Sequence, residues 1–249
     1  MGIKKYTGFL FFLLLITSCK SIQHISHTDI TYQIIKPDST LAPDEATTKL
    51  IAPYKVQLDT VMNEVIGNVV NDMYKQRPES SLGNWVADVM FESVQRKGYT
   101  ADFAIVNYGG LRVPTITAGP LTRGEIFELS PFDNMIMIVD IPGKILDTIF
   151  QQIATTGGWP VSKGLKLTMS NKIITGSLIH DQPIVPDKIY KVATLDYVAN
   201  GGDDMKSLIP LPRVQTGEIL RDLLIEDAIR LRDAGKGITA FIEGRIINH

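Results

Sequence analysis

Two stretches of this chain carry side chains whose types and spacing suit ligand binding. The first is Asn107-Tyr108-Gly109-Gly110-Leu111-Arg112, followed further on by Ser130-Pro131-Phe132-Asp133-Asn134. An apolar run over 103–106 precedes it and reads as a short buried strand ending at Asn107. Glycines such as Gly109 and Gly110 let the backbone pass close to a ligand or take a positive φ. Arg112 supplies a planar fork of donors suited to a phosphate or a carboxylate. Phe132, on a loop, offers a platform for a flat ring. The second stretch, Tyr197-Val198-Ala199-Asn200-Gly201-Gly202-Asp203-Asp204, follows another strand-like run over 190–195 and repeats the combination of aromatic, glycine pair and polar side chains. Two strand-end loops of one composition can form facing walls of a pocket. The competing reading makes the glycines plain turns, Arg112 a solvated charge and Phe132 a core residue. Local chemistry alone leaves both open.

The elements that must hold these loops follow from periodicity. Asp44-Glu45 opens a helical pattern in which Leu50, Ile51, Tyr54, Val56, Leu58, Val61, Met62 and Val65 recur at roughly helical spacing, with Pro53 inside it. Residues 66–74 are partly β-branched and read as a strand. Ser80-Ser81 offers a cap for a helix over 82–97, whose apolar stripe includes Trp85, read as core. Thr122 and Glu125 have the spacing of a capping box and start a short helix to Leu129; they satisfy backbone donors and do no chemistry. A strand over 135–141 leads through Pro142-Gly143 into a helix over 144–154, stopped by Gly157-Gly158. Trp159, beside them, is open to three readings: pocket wall, core or lid. Strands follow over 165–169, 172–178 and 190–194. Thr216 is read as the cap of a last long helix over 217–234, with Glu226, Asp227, Arg230, Arg232 and Asp233 on a mostly solvated face. Residues 242–247 read as a closing strand. Helices and strands interleave without a regular βαβ repeat, which predicts an α+β domain with a mixed β-sheet packed with helices.

The net charge of −2 gives no global basic field, so nucleic acid is not an expected partner. A hydrophobic content of 44% is that of an ordinary globular protein. Cys19 is the only cysteine, which excludes an internal disulfide. Ahead of it, Lys4 and Lys5 precede an apolar run over 8–17 that is too short to span a membrane comfortably. Ile16-Thr17-Ser18-Cys19 resembles a bacterial lipobox. The expected organisation is a lipoprotein signal peptide over 1–18, a polar tether over 19–43 and one domain over 44–249. Cys19 would be lipidated and would anchor the protein to an extracytoplasmic membrane surface, either periplasmic or on the cell exterior. A plain secretory signal with a chance cysteine is the alternative.

Four blocks keep a distinctive order: Asn-x-Gly-Gly-Leu-Arg from Asn107, Gly-Pro-Leu-Thr-Arg-Gly-Glu from Gly119, Pro-Phe-x-Asn from Pro131, and Asp-Tyr-Val-Ala-Asn-Gly-Gly-Asp from Asp196. Together they resemble the C-terminal, substrate-binding domain of the 5'-nucleotidase and UDP-sugar hydrolase family, across residues 51–247. The resemblance implies that Phe132 and Tyr197 stack on the two faces of a nucleobase; the family commonly has phenylalanine at the second position. It implies that Arg112 binds the substrate phosphate, that Asn107, Gly109 and Gly110 shape that wall, and that Asp203 accepts from ribose hydroxyls. Asn134 would contact the base edge, and Asn200, Gly201 and Gly202 would shape the second loop. Relatives carry a phosphate-binding arginine shortly before the helix at 82; Arg77 lies close without aligning firmly.

In the family, hydrolysis belongs to an N-terminal dinuclear metallophosphoesterase domain whose metals activate water. Its Asp-x-His and Gly-Asn-His blocks are missing here. The four histidines, His24, His27, His180 and His249, do not gather with carboxylates in the sequence. No nucleophile–base pair, catalytic residue, metal ligand or cofactor is expected in this chain; divalent metals are expected only on a partner catalytic domain. Three readings follow. The chain is the nucleotide-binding half of a split 5'-nucleotidase, inactive until joined by a separately encoded metallophosphoesterase. Or it is a non-catalytic extracytoplasmic lipoprotein that captures nucleotides or nucleosides. Or it is a remnant with an unused pocket. Binding by this half alone is expected to be weak, on the order of tens of micromolar to millimolar.

Overall fold

A computed structural model describes residues 42–249. The expected signal peptide, Cys19 and all of the tether except its last two residues lie outside the described residues. Helix α1 (Glu45–Met62) begins where Asp44 Oδ1 accepts the Thr47 amide at 2.7 Å. The spacing of its apolar residues gave the helix correctly. None of them is buried, and Leu50 and Tyr54 are about 70% exposed, at 71% and 72%. Periodicity reports that a face exists, not that anything covers it.

The expected strand over 66–74 is two strands. Strand β1 (Val65–Val69) and β2 (Met73–Tyr74) are separated by Asn71 and Asp72, whose side chains bond elsewhere: Asn71 Nδ2 donates to the Ala240 carbonyl, and Asp72 Oδ1 accepts the Ala118 amide. Helix α2 (Ser81–Arg96) is capped by the Ser80 hydroxyl, which accepts from the Gly83 amide at 2.8 Å. Strand β3 (Phe103–Ala104), β4 (Thr115–Ile116) and β5 (Gly119–Thr122) lead into α3 (Arg123–Leu129), where the Thr122–Glu125 capping box forms as expected. Then come β6 (Met135–Pro142), α4 (Gly143–Thr155), β7 (Leu165–Ser170), β8 (Ile173–Ile179), the short β9 (Gln182–Pro183) and β10 (Ile189–Leu195). A single helical turn, α5 (Asp196–Ala199), follows, and then β11 (Arg213–Ile219), α6 (Leu220–Asp233) and β12 (Ile246–Asn248).

The last third differs from the sequence reading. Thr216 does not cap a helix. It lies in β11, where its hydroxyl donates to the Ile136 carbonyl at 2.8 Å. The β11–β6 pairing is bulged between Gln215 and Ile219, with Gly217 at φ 79°, so the alternation that marks a strand is broken there. Asp227 is buried, not solvated, because Arg96 and Arg230 both bond it. Residues 242–245 are not strand. Buried Glu79 instead accepts the Glu243 and Arg245 amides, each at 2.8 Å, and so replaces ladder partners.

Mixed sheets packed with helices make an α+β fold. The central sheet has the order β11-β6-β10-β3, and a second sheet has the order β12-β7-β8-β9. Helix α4 buries Leu146, Ile149, Phe150 and Ile153, and Phe150 meets Phe103 with ring centroids 6.1 Å apart. Trp85 and Trp159 are both core residues. For the site, strand direction matters most. Strands β3 and β10 are parallel neighbours, pairing Phe103 with Val192 and Ala104 with Ala193. Their C-terminal ends therefore lie at one edge. Strand β6 is antiparallel to β10, with Ile136 opposite Leu195, so the loop that enters β6 reaches the same edge. Three loops converge there: after β3, before β6 and after β10.

Candidate functional site

The three loops enclose a cleft of about 390 Å³ lined by Asn107, Gly109, Gly110, Arg112, Phe132, Asn134, Tyr197 and Asp203. Residues read separately from the sequence thus meet at one edge of the central sheet. Phe132 and Tyr197 keep 49% and 48% of their surface exposed, which leaves ring faces available. Phe132 is therefore not the core residue that the competing reading made it.

Each loop is held by specific bonds. Residues Tyr108–Gly110 form a 3-10 turn. Neither glycine takes a positive φ; Gly110 is needed for space, because a Cβ there would lie 2.8 Å from Asn107 Oδ1. Asn107 is buried, and its Nδ2 donates across the cleft to Asp203 Oδ2 at 2.9 Å. Tyr197 O–H donates to Asp203 Oδ1 at 3.2 Å. Asp203 sits at φ 51°, a left-handed conformation that aspartate tolerates better than most residues. Gly202 does not line the cleft but supports it. A Cβ at Gly202 would lie 2.5 Å from the Tyr197 ring, so only glycine lets the loop pack on that ring. Asn200 also stands behind the cleft, where its Oδ1 accepts from Arg213 Nη1 at 3.1 Å.

Several supporting residues escaped the sequence reading. Arg213 donates to the carbonyls of Ala199, Leu208 and Ile209 and so clamps the second loop. Arg221 bonds the Pro131 carbonyl and the Asp133 carboxylate and lies 4.3 Å from the Phe127 ring centroid, fixing the loop that carries Phe132. Neither lies in the quoted blocks, and each gains its role only when the fold brings those carbonyls to it.

Flanking the first loop is a group of cations. Arg112 Cζ lies 5.5 Å from the Phe132 ring centroid, and Arg112 Nη1 donates weakly to the Gly109 carbonyl at 3.4 Å. Arg77 stacks over Tyr108 at 4.0 Å, and Lys75 Nζ lies 4.3 Å from the same ring. Lys75 Nζ also donates to the Leu111 carbonyl at 2.6 Å. Burial pushes the Lys75 ammonium below its ordinary range, and the positive charges of Arg112 and Arg77 push it the same way. Among the described residues, no carboxylate lies within ion-pair distance of Lys75, Arg77 or Arg112. Such a group favours an anion. Lys75 had no distinct signal in the sequence, since it lies outside the quoted blocks, and Tyr108 stands at the variable position of the first block. No group of three or more His, Cys, Asp and Glu side chains is placed to hold a metal ion among the described residues. No described helix is long and apolar enough to cross a membrane.

The molecule is thus an α+β domain whose open cleft gathers two rings, a carboxylate and an arginine. A family model described as the 5'-nucleotidase C-terminal domain matches residues 61–208, more than half of the chain, and the chain belongs to that family. It is 29% identical over 209 residues to Protein UshA of Yersinia enterocolitica, covering 80% of this chain and 37% of that protein. It is 27% identical to a 5'-nucleotidase of Vibrio vulnificus, covering 75% of this chain and 35% of the relative. In solved structures it matches a 5'-nucleotidase precursor from Thermus thermophilus with a TM-score of 0.70 and 26% identity, covering 83% of this chain and 44% of that one. The chain thus spans little more than a third of the length of these curated relatives.

Proposed function

We propose that this domain binds a nucleotide in the cleft, as the substrate-binding half of a 5'-nucleotidase-type phosphoester hydrolase. The base enters between Phe132 and Tyr197, the ribose faces Asp203, and the phosphate meets Arg112 with Lys75 and Arg77 nearby. Asn134 borders the base. One observation carries this reading: two half-exposed rings, an oriented carboxylate and Arg112, a cation without an acidic partner among the described residues, share one cleft. The rings supply sequence-tolerant stacking. The arginine forks supply charge-assisted bonds to phosphate oxygens.

The chemical step is assigned to a metallophosphoesterase encoded separately, whose metals activate the attacking water. This domain's part is to hold the nucleotide so that its phosphate is presented to that site, which converts a collision into a positioned attack. Lipidation at Cys19 on an extracytoplasmic membrane face would raise the effective concentration of the two halves. The test is direct. The purified chain, with AMP and either Mg2+ or Mn2+, is expected to bind the nucleotide and release no phosphate. Phosphate release by the chain alone would overturn the partner assignment.

A further inference from the structure

We infer that Tyr197 is a positioning residue for sugar recognition, beyond the stacking role of its ring. This rests on the reading that the cleft takes a nucleoside. Asp203 is anchored from both walls. Its Oδ2 accepts from Asn107 Nδ2 at 2.9 Å, across 96 residues of chain, and its Oδ1 accepts from Tyr197 O–H at 3.2 Å. Its own carbonyl accepts from Gln152 Nε2 at 3.3 Å.

A carboxylate offers about four lone-pair positions. The two side-chain donors take one on each oxygen and leave about one on each, which matches the two hydroxyls of a ribose cis-diol. A phenylalanine at position 197 would stack as well but would leave Oδ1 unpinned. The glycine behind the ring makes the coupling tight. Because a Cβ at Gly202 would come within 2.5 Å of the Tyr197 ring, the ring and the loop carrying Asp203 are packed as one unit. Asn107 is buried and its Oδ1 has no partner, so its donation to Asp203 is the bond that fixes the amide. An acceptor already oriented by the protein loses less freedom when the sugar binds.

The experiment compares the full chain with its Tyr197→Phe variant, each titrated calorimetrically with adenosine and with 2',3'-dideoxyadenosine. The readout is the ratio of the two affinities, which cancels stacking and any general loosening of the fold. The wild type is expected to prefer adenosine, and the variant's preference is expected to fall by roughly three- to tenfold, the loss of one modest hydrogen bond. An unchanged ratio would overturn the positioning role while the nucleoside reading stands. A raised ratio would overturn it as well, since the phenol would then be competing with the sugar for Oδ1. If neither nucleoside binds the wild type, the nucleoside reading itself fails.

Discussion

Two groups of charged side chains in this molecule are built in opposite ways. Arg245 has a side chain only 5% exposed, and it bonds both oxygens of Asp88, at 2.8 and 2.7 Å, as well as Glu243 and the Val161 carbonyl. Beside it, Glu79 takes the Asn84 amide and two backbone N–H groups. Every charge there is closed by a partner within the chain. Lys75, Arg77 and Arg112 face aromatic rings and carbonyls, and among the described residues none has a carboxylate partner. The first cluster ties the C-terminal segment to helix α2. The second leaves its charge open beside the cleft. A closed ion cluster holds the chain together; an open one leaves its charge available to an anion.

The comparison can be broken by mutation. Arg245→Ala should cost the most stability, about 3 kcal/mol in denaturant unfolding, because it strips the partner from Asp88. That is the low end for a buried pair, since Asp88 keeps some contact with water. Arg112→Ala should change stability by no more than about 0.5 kcal/mol. It should instead weaken AMP binding by about 1.5–3 kcal/mol, with adenosine binding much less affected. A large stability loss for Arg112→Ala would erase the distinction between the clusters. Phe132→Ala should weaken AMP and adenosine alike, by about 1–3 kcal/mol, because in the proposed pose the ring meets the base and not the phosphate. The smallest effect belongs to Arg77→Lys, which keeps the charge and loses the guanidinium's place over the Tyr108 ring. About 0.5–1 kcal/mol of AMP affinity should disappear, read by the same titration.

The parts of the site that the sequence displayed are those with local chemistry. The Asn107 loop, Phe132, Tyr197 and Asp203 each sit in a short block with its own composition, and the structure brings them to one cleft. The capping box at Thr122 and Glu125 was legible for the same reason, since a spacing of three residues suffices to define it. What was not legible depends on distant partners. Strand β11 escaped because its bulge at Gly217 breaks the period-two pattern and β6, some 80 residues earlier, decides its pairing. Asp227 looked solvated because Arg96, which ion-pairs with it, lies on another helix. Lys75 and Arg213 gained their roles only when the fold brought the 108–111 and 199–209 backbones beside them. Helix α1 illustrates the opposite case: its pattern was plain, and the face it marks is exposed.

The measurement that bears most directly on the cleft is a calorimetric titration of AMP into the full chain, with Phe132→Ala and Tyr197→Ala in parallel. Saturable binding between tens of micromolar and millimolar, weakened roughly tenfold or more by either substitution, is the expected result. Absence of heat, with no shift in the unfolding midpoint of the wild type at millimolar AMP, would contradict a nucleotide site between the two rings.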